Sequence, residues 1–236
     1  MKNLFISCCM LLLAGGVFAQ KSGIYGGMGG YEGGLFMLHM PGTNQLLQNN
    51  GYSAVGATQM AHGGIGMGII NNFMIGGQGG SISEQNFSRA DNAGTLKHSY
   101  GGFQLGYMFR AGKQLAFFPM LGLGALESVY QITNNNTSKD LQQAFQQPNQ
   151  LLQIQQRSPY VDFSLNLNYW FFGGKKTIFG PFVGLSVGGF YAPSTSHYRI
   201  NGQPMVNTPN QAASSFYFKL RFGGGSMTAS SKKSQD

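Results

Sequence analysis

From Val161 to Tyr169 the chain reads V-D-F-S-L-N-L-N-Y, with every odd position apolar or aromatic and every even one polar. Successive side chains of a strand point to opposite faces, whereas a helix scatters such a pattern around its circumference. The segment is a two-faced strand. Near the end of the chain, Phe216, Phe218, Leu220 and Phe222 alternate with Tyr217, Lys219 and Arg221 in the same way. Ile65, Met67 and Ile69 alternate with Gly64, Gly66 and Gly68, and Phe103, Leu105, Tyr107 and Phe109 with Gly102, Gln104, Gly106 and Met108. Phe117 to Gly124 (F-F-P-M-L-G-L-G) and Phe179 to Ser186 (F-G-P-F-V-G-L-S) share F-x-P-x-[LV]-G-L, which suggests a repeated hairpin unit.

Composition decides which solvent the apolar face meets. Only 9% of the residues are charged, although 42% are hydrophobic and 13% aromatic. A water-soluble domain clothes itself with about 25% Asp, Glu, Lys and Arg. The aromatic content excludes a disordered chain. The non-apolar faces carry mainly Gly, Ser, Asn and Gln, which suit the crowded interior of a narrow barrel better than a wall facing water. The apolar face is then the lipid-facing one, and closure of the sheet satisfies every backbone N–H and C=O that hydrocarbon would leave unpaired. No apolar run after the first twenty residues reaches the length of a spanning helix; Leu115 to Leu126 contains Pro119.

Residues 1–19 read as a secretory signal, with Lys2 at its start, an apolar stretch from Leu4 to Leu13, and Val17-Phe18-Ala19 before the cleavage point. Cys8 and Cys9 leave with it, so the exported chain has no disulfide. Connectors alternate in length. Asn71-Asn72, Arg110 to Gln114 and Gly173 to Lys176 are short, while long ones cover roughly 41–59, 86–96, 133–158 and 193–213. Eight strands lie between them, at about 24–40, 60–70, 73–85, 97–109, 115–130, 159–172, 177–192 and 214–222. An even strand number with short turns at one end and long loops at the other predicts an all-β, closed antiparallel up-and-down transmembrane barrel over 20–222, with 223–236 as a short periplasmic tail.

Phe73, Phe109, Phe117, Tyr169, Phe171 and Phe179 flank the three short turns and Phe222 ends the last strand, which places them in an interfacial aromatic girdle. With the leader, the glycine-rich strands, the four long loops and the terminal F-x-F-x-L-x-F, the chain resembles small eight-stranded outer-membrane barrels of the OmpA/OmpX type. The run Phe216 to Gly223 is particularly similar to "porin family" barrel proteins of Bacteroidota. The resemblance implies an outer-membrane location in a Gram-negative cell. It also implies that the closing strand, with Phe216, Phe218, Leu220 and Phe222, is recognised by the barrel assembly machinery, Phe222 being its terminal aromatic.

Chemical motifs are few. Gly184-Leu185-Ser186-Val187-Gly188 matches G-x-S-x-G, but it lies inside a strand rather than on the strand-to-helix turn that a nucleophile elbow requires. His39, His62, His98 and His197 all fall toward the long-loop end, and His62 and His98 share the inward parity, opposite to Ile65 and Phe103. Their spacing matches no metal-ligand motif. Ser194, Ser196, His197 and Glu127 are the rim residues from which a hydrolytic site would have to be assembled. Glu127 has outward parity. Glu32, Lys219 and Arg221 have inward parity on the first and last strands, which predicts an internal ion pair at the closing seam. Thr137 to Asp140 fits a capping box, and Leu141, Ala144 and Phe145 follow at helical spacing in a loop with eight glutamines between 142 and 156.

The formal charge of +8 falls to +7 once Lys2 is removed. Arg110, Lys113, Lys175, Lys176, Lys232 and Lys233 sit in short turns or the tail, which points to anionic headgroups rather than nucleic acid. The paired glycines Gly76-Gly77 and Gly79-Gly80 lack the Lys-Ser/Thr of a phosphate loop. The expectation is a non-enzymatic outer-membrane barrel without cofactor or metal, displaying loops for envelope integrity, adhesion or a larger membrane assembly. Its partners are outer-membrane lipids, the assembly machinery, and a protein reached through the loops or the C-terminal tail. The alternatives are a lipid-modifying hydrolase using rim Ser and His residues, and a narrow pore or small-ligand barrel.

Overall fold

The computed structural model describes residues 22–89, 92–134, 152–174, 176–193, 197–200, 203–204 and 212–231. The signal segment, the predicted helix after Thr137, Ser194, Ser196, Lys175, Lys232 and Lys233 lie outside them. The strands are β1 (Ser22–His39), β2 (Thr58–Ile70), β3 (Phe73–Arg89), β4 (Asn92–Tyr107), β5 (Phe109–Ala111), β6 (Leu115–Asn134), β7 (Leu152–Gly173), β8 (Thr177–Ala192), β9 (His197–Ile200), β10 (Gln203–Pro204) and β11 (Ala213–Ser231); one helix, α1, spans Pro41–Asn49. Eight of them, β1, β2, β3, β4, β6, β7, β8 and β11, form a closed antiparallel ring, with β11 returning to pair with β1. The short β5 continues the β4 side against β6.

Strand register sets the bore. A row of paired inward positions runs from Phe118 through Asn166, Ser186, Lys219, Gly34, Ala61, Ile82 and His98, and returns to β6 at Ser128, ten residues along. Eight strands with that stagger tilt by roughly 40–45° and enclose a space just wide enough for side chains to fill.

The filling has three layers. Toward the short turns lie Ile24, Ile65, Ile69, Phe118, Trp170, Ile178 and Phe182, with the methionines Met28, Met67, Met74, Met108, Met120 and Met227. Toward the long loops lie Phe36, Leu38, Leu96, Tyr100, Tyr130, Tyr160, Phe190 and Tyr217. Between the two lie the polar groups: Glu32 between Met28 and Phe36, Lys219 and Arg221 between Tyr217 and Met227, and Asp162, Ser164, Asn166 and Asn168 between Tyr160 and Trp170.

This corrects the expected orientation of β2. Ile65, Met67 and Ile69 face the lumen and Gly64, Gly66 and Gly68 face outward, because Ile65 is paired with Gly30 and Ile69 with Gly26, whose missing side chains leave the volume they occupy. An alternation of glycine with apolar residues is silent about which face is which. On the other strands the apolar parity does face out, as at Phe103, Leu121, Leu123, Leu165, Leu167, Phe218 and Leu220.

Strand ends also move. β11 continues past Phe222 to Ser231, opposite Ser22 on β1, so residues 223–231 belong to the barrel rather than to a tail. Ser226, Thr228 and Ser230 end the outward apolar pattern there, while the backbone ladder persists. At the long-loop end β3, β4, β6 and β7 likewise outrun their hydropathy signal, reaching Arg89, Asn92, Asn134 and Leu152. The 41–57 connector is not an open loop. α1 starts at a proline in its first turn, turns Leu47 and Thr43 inward, and caps the mouth with Met40 and Val55. Asn44 holds it by bonding both the N–H and the C=O of Val55 (2.9 and 3.2 Å).

Candidate functional site

The polar layer at the centre of the lumen concentrates the chain's buried charge. Inward parity brings Glu32 of β1 directly opposite Arg221 of β11. Arg221 Nε donates to Glu32 Oε1 (2.5 Å), and Lys219 Nζ to Glu32 Oε2 (3.3 Å) and to Gln78 Oε1 (3.3 Å). Gln78 Nε2 in turn donates to Asp162 Oδ2 (3.2 Å), as does Gln104 Nε2 (3.1 Å), and the Tyr217 hydroxyl donates to Asp162 Oδ1 (2.8 Å). Two carboxylates thus face two cations in one network spanning β1, β3, β4, β7 and β11.

Removing such groups from water costs several kcal/mol each, and only mutual pairing with further hydrogen bonds offsets it. The Lys219 ammonium is also enclosed by rings, 4.4 Å from the Tyr217 centroid, 5.1 Å from Tyr100 and 5.3 Å from Phe36. Arg221 lies 5.8 Å from the Phe118 ring. Small residues make room for the large ones. A side chain at Gly188 would run into the Tyr217 hydroxyl, and one at Gly124 into the Tyr160 ring. The arrangement fills this level of the lumen with buried side chains.

Asp162, Gln78, Gln104 and Tyr217 were not among the sequence candidates. Asp162 carried a signal nonetheless, being an acid at an inward position within an apolar-alternating strand.

The remaining candidates whose side chains are described do not converge. His62 is exposed on the outer wall, stacked on Tyr31 at 6.5 Å, contrary to its expected inward parity. It pairs with Ser81 and Gly33, and it turns outward for the same reason that Ile65 turns inward. His98 does point inward, where its Nδ1 and the Ser128 hydroxyl share a hydrogen bond of 2.8 Å. His39 is exposed at the top of β1. Ser186 is fully buried mid-strand between outward Leu185 and Val187. Among the described residues no group of three or more His, Cys, Asp or Glu side chains is placed to hold a metal.

On the outer wall Phe73, Tyr169, Phe171 and Phe179 are exposed at the short-turn end, with Phe109 and Phe117 beside them and ring contacts linking Phe73, Tyr107, Phe109 and Phe117 in sequence. Phe172 joins them, because a bulge after Trp170 turns Phe171 and Phe172 both outward. Phe222 is not at that level. It pairs with Tyr31 and Val183 partway up the wall, since its strand continues below it.

Above the apolar band the outer face becomes polar: Lys97 is paired with Glu84 (3.1 Å), and outward Glu127 stands opposite Arg157. Higher still, Asn86, Ser88, Ala93, Thr95, Gln131 and Thr133 line a cleft of about 290 Å³.

No family model and no curated protein matches the chain. Among solved structures it is similar to Ail, the attachment invasion locus protein of Yersinia pestis, at TM-score 0.37 and 9% identity, over 85% of this chain and 98% of that one. Neisserial surface protein A is similar at TM-score 0.33 and 13% identity, over 85% and 96%. The outer membrane protease OmpT of Escherichia coli is similar at TM-score 0.34 and 7% identity, over 89% and 96%. The ring of eight strands is defined by the chain's own pairing.

Proposed function

We propose that the protein is a non-enzymatic outer-membrane barrel of the OmpA/OmpX type that anchors and displays a sheet beyond the outer leaflet. The observation that carries this reading is a filled lumen beneath strands that outrun the apolar band. The Glu32–Lys219–Arg221 and Asp162 network, sandwiched between two apolar clusters, supports a barrel that does not conduct. β3, β4, β6 and β7 continue above the band, backed by α1 on the inner face and open on the outer face at the Thr95–Gln131 cleft. Long connections at that end and short turns at the other support its exposure outside the cell. A built surface raised clear of the membrane suits adhesion or contact with another envelope protein.

Two measurements on the processed chain test this. In planar bilayers it should give no conductance steps above background; discrete steps would contradict the closed bore. On intact cells, Thr133→Cys should react with a membrane-impermeant maleimide and Lys176→Cys should not. The reverse pattern would invert the proposed topology.

A further inference from the structure

Arg157 on β7 and Arg199 on β9 are exposed on the outer face just above the apolar band. Their neighbours Gln156 and Tyr198 are buried and directly paired, which fixes both arginines outward. Arg199 pairs with Gln155 and Arg157 with His197, so the two guanidinium groups belong to diagonal neighbours, about 7 Å apart at the backbone. Neither makes an ion pair or hydrogen bond among the described residues. That spacing lets one phosphate accept from both planar forks, with Gln155 between them as a further donor.

What lies below and above decides what carries the phosphate. Two and four positions down β7 come Pro159 and Val161, followed by Phe163 and Leu165, and the neighbouring outward column of β6 carries Ala125, Leu123 and Leu121. Acyl chains lie along that wall. Above, Gln153, Gln131, Thr95 and Thr133 present uncharged amides and hydroxyls, which match sugar hydroxyls and not a second charge.

We propose that Arg157, Arg199 and Gln155 bind the phosphate of a phosphorylated glycolipid in the outer leaflet. This site rests on the membrane placement proposed above. Glu127, opposite Arg157 on β6, opposes the phosphate and weakens the site rather than building it.

The full processed chain in maltoside micelles is titrated with bis-phosphorylated lipid A, its dephosphorylated form, and phosphatidylglycerol, with bound lipid counted by native mass spectrometry. The phosphorylated glycolipid should be retained over both others. Arg157→Gln with Arg199→Gln should weaken it by roughly tenfold or more, the loss expected for two charge-assisted bonds. Glu127→Gln should bind at least as tightly as the parent, and Lys113→Gln with Lys176→Gln at the opposite end should leave retention of the phosphorylated glycolipid unchanged, whatever it does to phosphatidylglycerol. Heat-modifiable gel mobility confirms that each variant is folded. Parent-like binding by the arginine double variant would overturn the site, as would equal retention of phosphatidylglycerol or an equal loss in the lysine control. A chain that is monodisperse in buffer without detergent would overturn the membrane placement itself. One that needs detergent but ignores the phosphate overturns only the site.

Discussion

Glu32 and Arg221 stand directly opposite each other across the seam that closes the barrel, joined by a 2.5 Å hydrogen bond between charged groups. The seam needs such a contact. Glycine occupies 26, 27, 29, 30, 33 and 34 on β1 and 223 to 225 on β11, and glycine-rich strands specify their register weakly. A slip of one residue would turn Glu32 toward lipid, and a slip of two would set it opposite Lys219 or Gly223 and take it off Arg221. The ion pair therefore selects the register that the glycines leave open.

Glu32→Ala strands Arg221 and Lys219 inside the lumen and should destabilise the barrel by about 3–5 kcal/mol, the usual cost of leaving a buried charge unpaired. Urea unfolding in micelles, followed by heat-modifiable mobility, measures it. Glu32→Leu combined with Arg221→Leu leaves Lys219 balanced by Asp162 and should recover much of the loss. A double variant worse than the single would show that the pair acts through something other than charge.

Gly63 and Gly66 sit on the same strand with opposite outlooks. A methyl at Gly63 would collide with the backbone of Gly79 and Gly80, whereas one at Gly66 meets nothing within 4 Å. Gly63→Ala should cost about 1–3 kcal/mol by overpacking. Gly66→Ala should be neutral or stabilising by about 0.5–1 kcal/mol, because alanine has less backbone freedom to lose. Equal effects at both sites would contradict the assigned faces of β2.

Trp170, the chain's one tryptophan, is fully buried in the lumen with Phe182 at 4.8 Å. Its emission should be blue-shifted, and neither acrylamide in water nor brominated lipid in the membrane should quench it appreciably. Phe182→Ala should admit the aqueous quencher. Strong quenching by brominated lipid in the parent would place the indole on the outer wall.

Asn71 and Asn72 both have positive φ, 51° and 72°, as a two-residue hairpin of the primed type requires. Asn72 also works as a plug: its Oδ1 accepts from the Ile24 N–H (3.0 Å) and its Nδ2 donates to the Met108 C=O (2.9 Å). Asn72→Gly keeps the turn and loses both bonds, and should cost about 1–3 kcal/mol. Asn71→Gly should be close to neutral. Thermal unfolding in micelles compares them.

Alternation in Val161 to Tyr169 and Phe216 to Phe222 was enough to read strands, faces and the closed barrel, because the period of two is a local property and low charge names the solvent. Glu32, Lys219 and Arg221 were legible for the same reason: charge at inward parity near the two chain ends has few places to go. Other features depended on neighbours. Whether Ile65 or Gly64 faces the lumen was decided by Gly30 and Gly26 on the adjacent strand, and His62 followed. The reach of β11 to Ser231 was decided by where β1 begins, since backbone pairing continues after hydropathy stops marking it. Asp162 could be placed inward from sequence, but its donors Tyr217, Gln78 and Gln104 come from three other strands, brought within reach only by the ten-residue stagger of the ring. A sequence records which side of its own strand a residue prefers; what lies across the lumen is a property of closure.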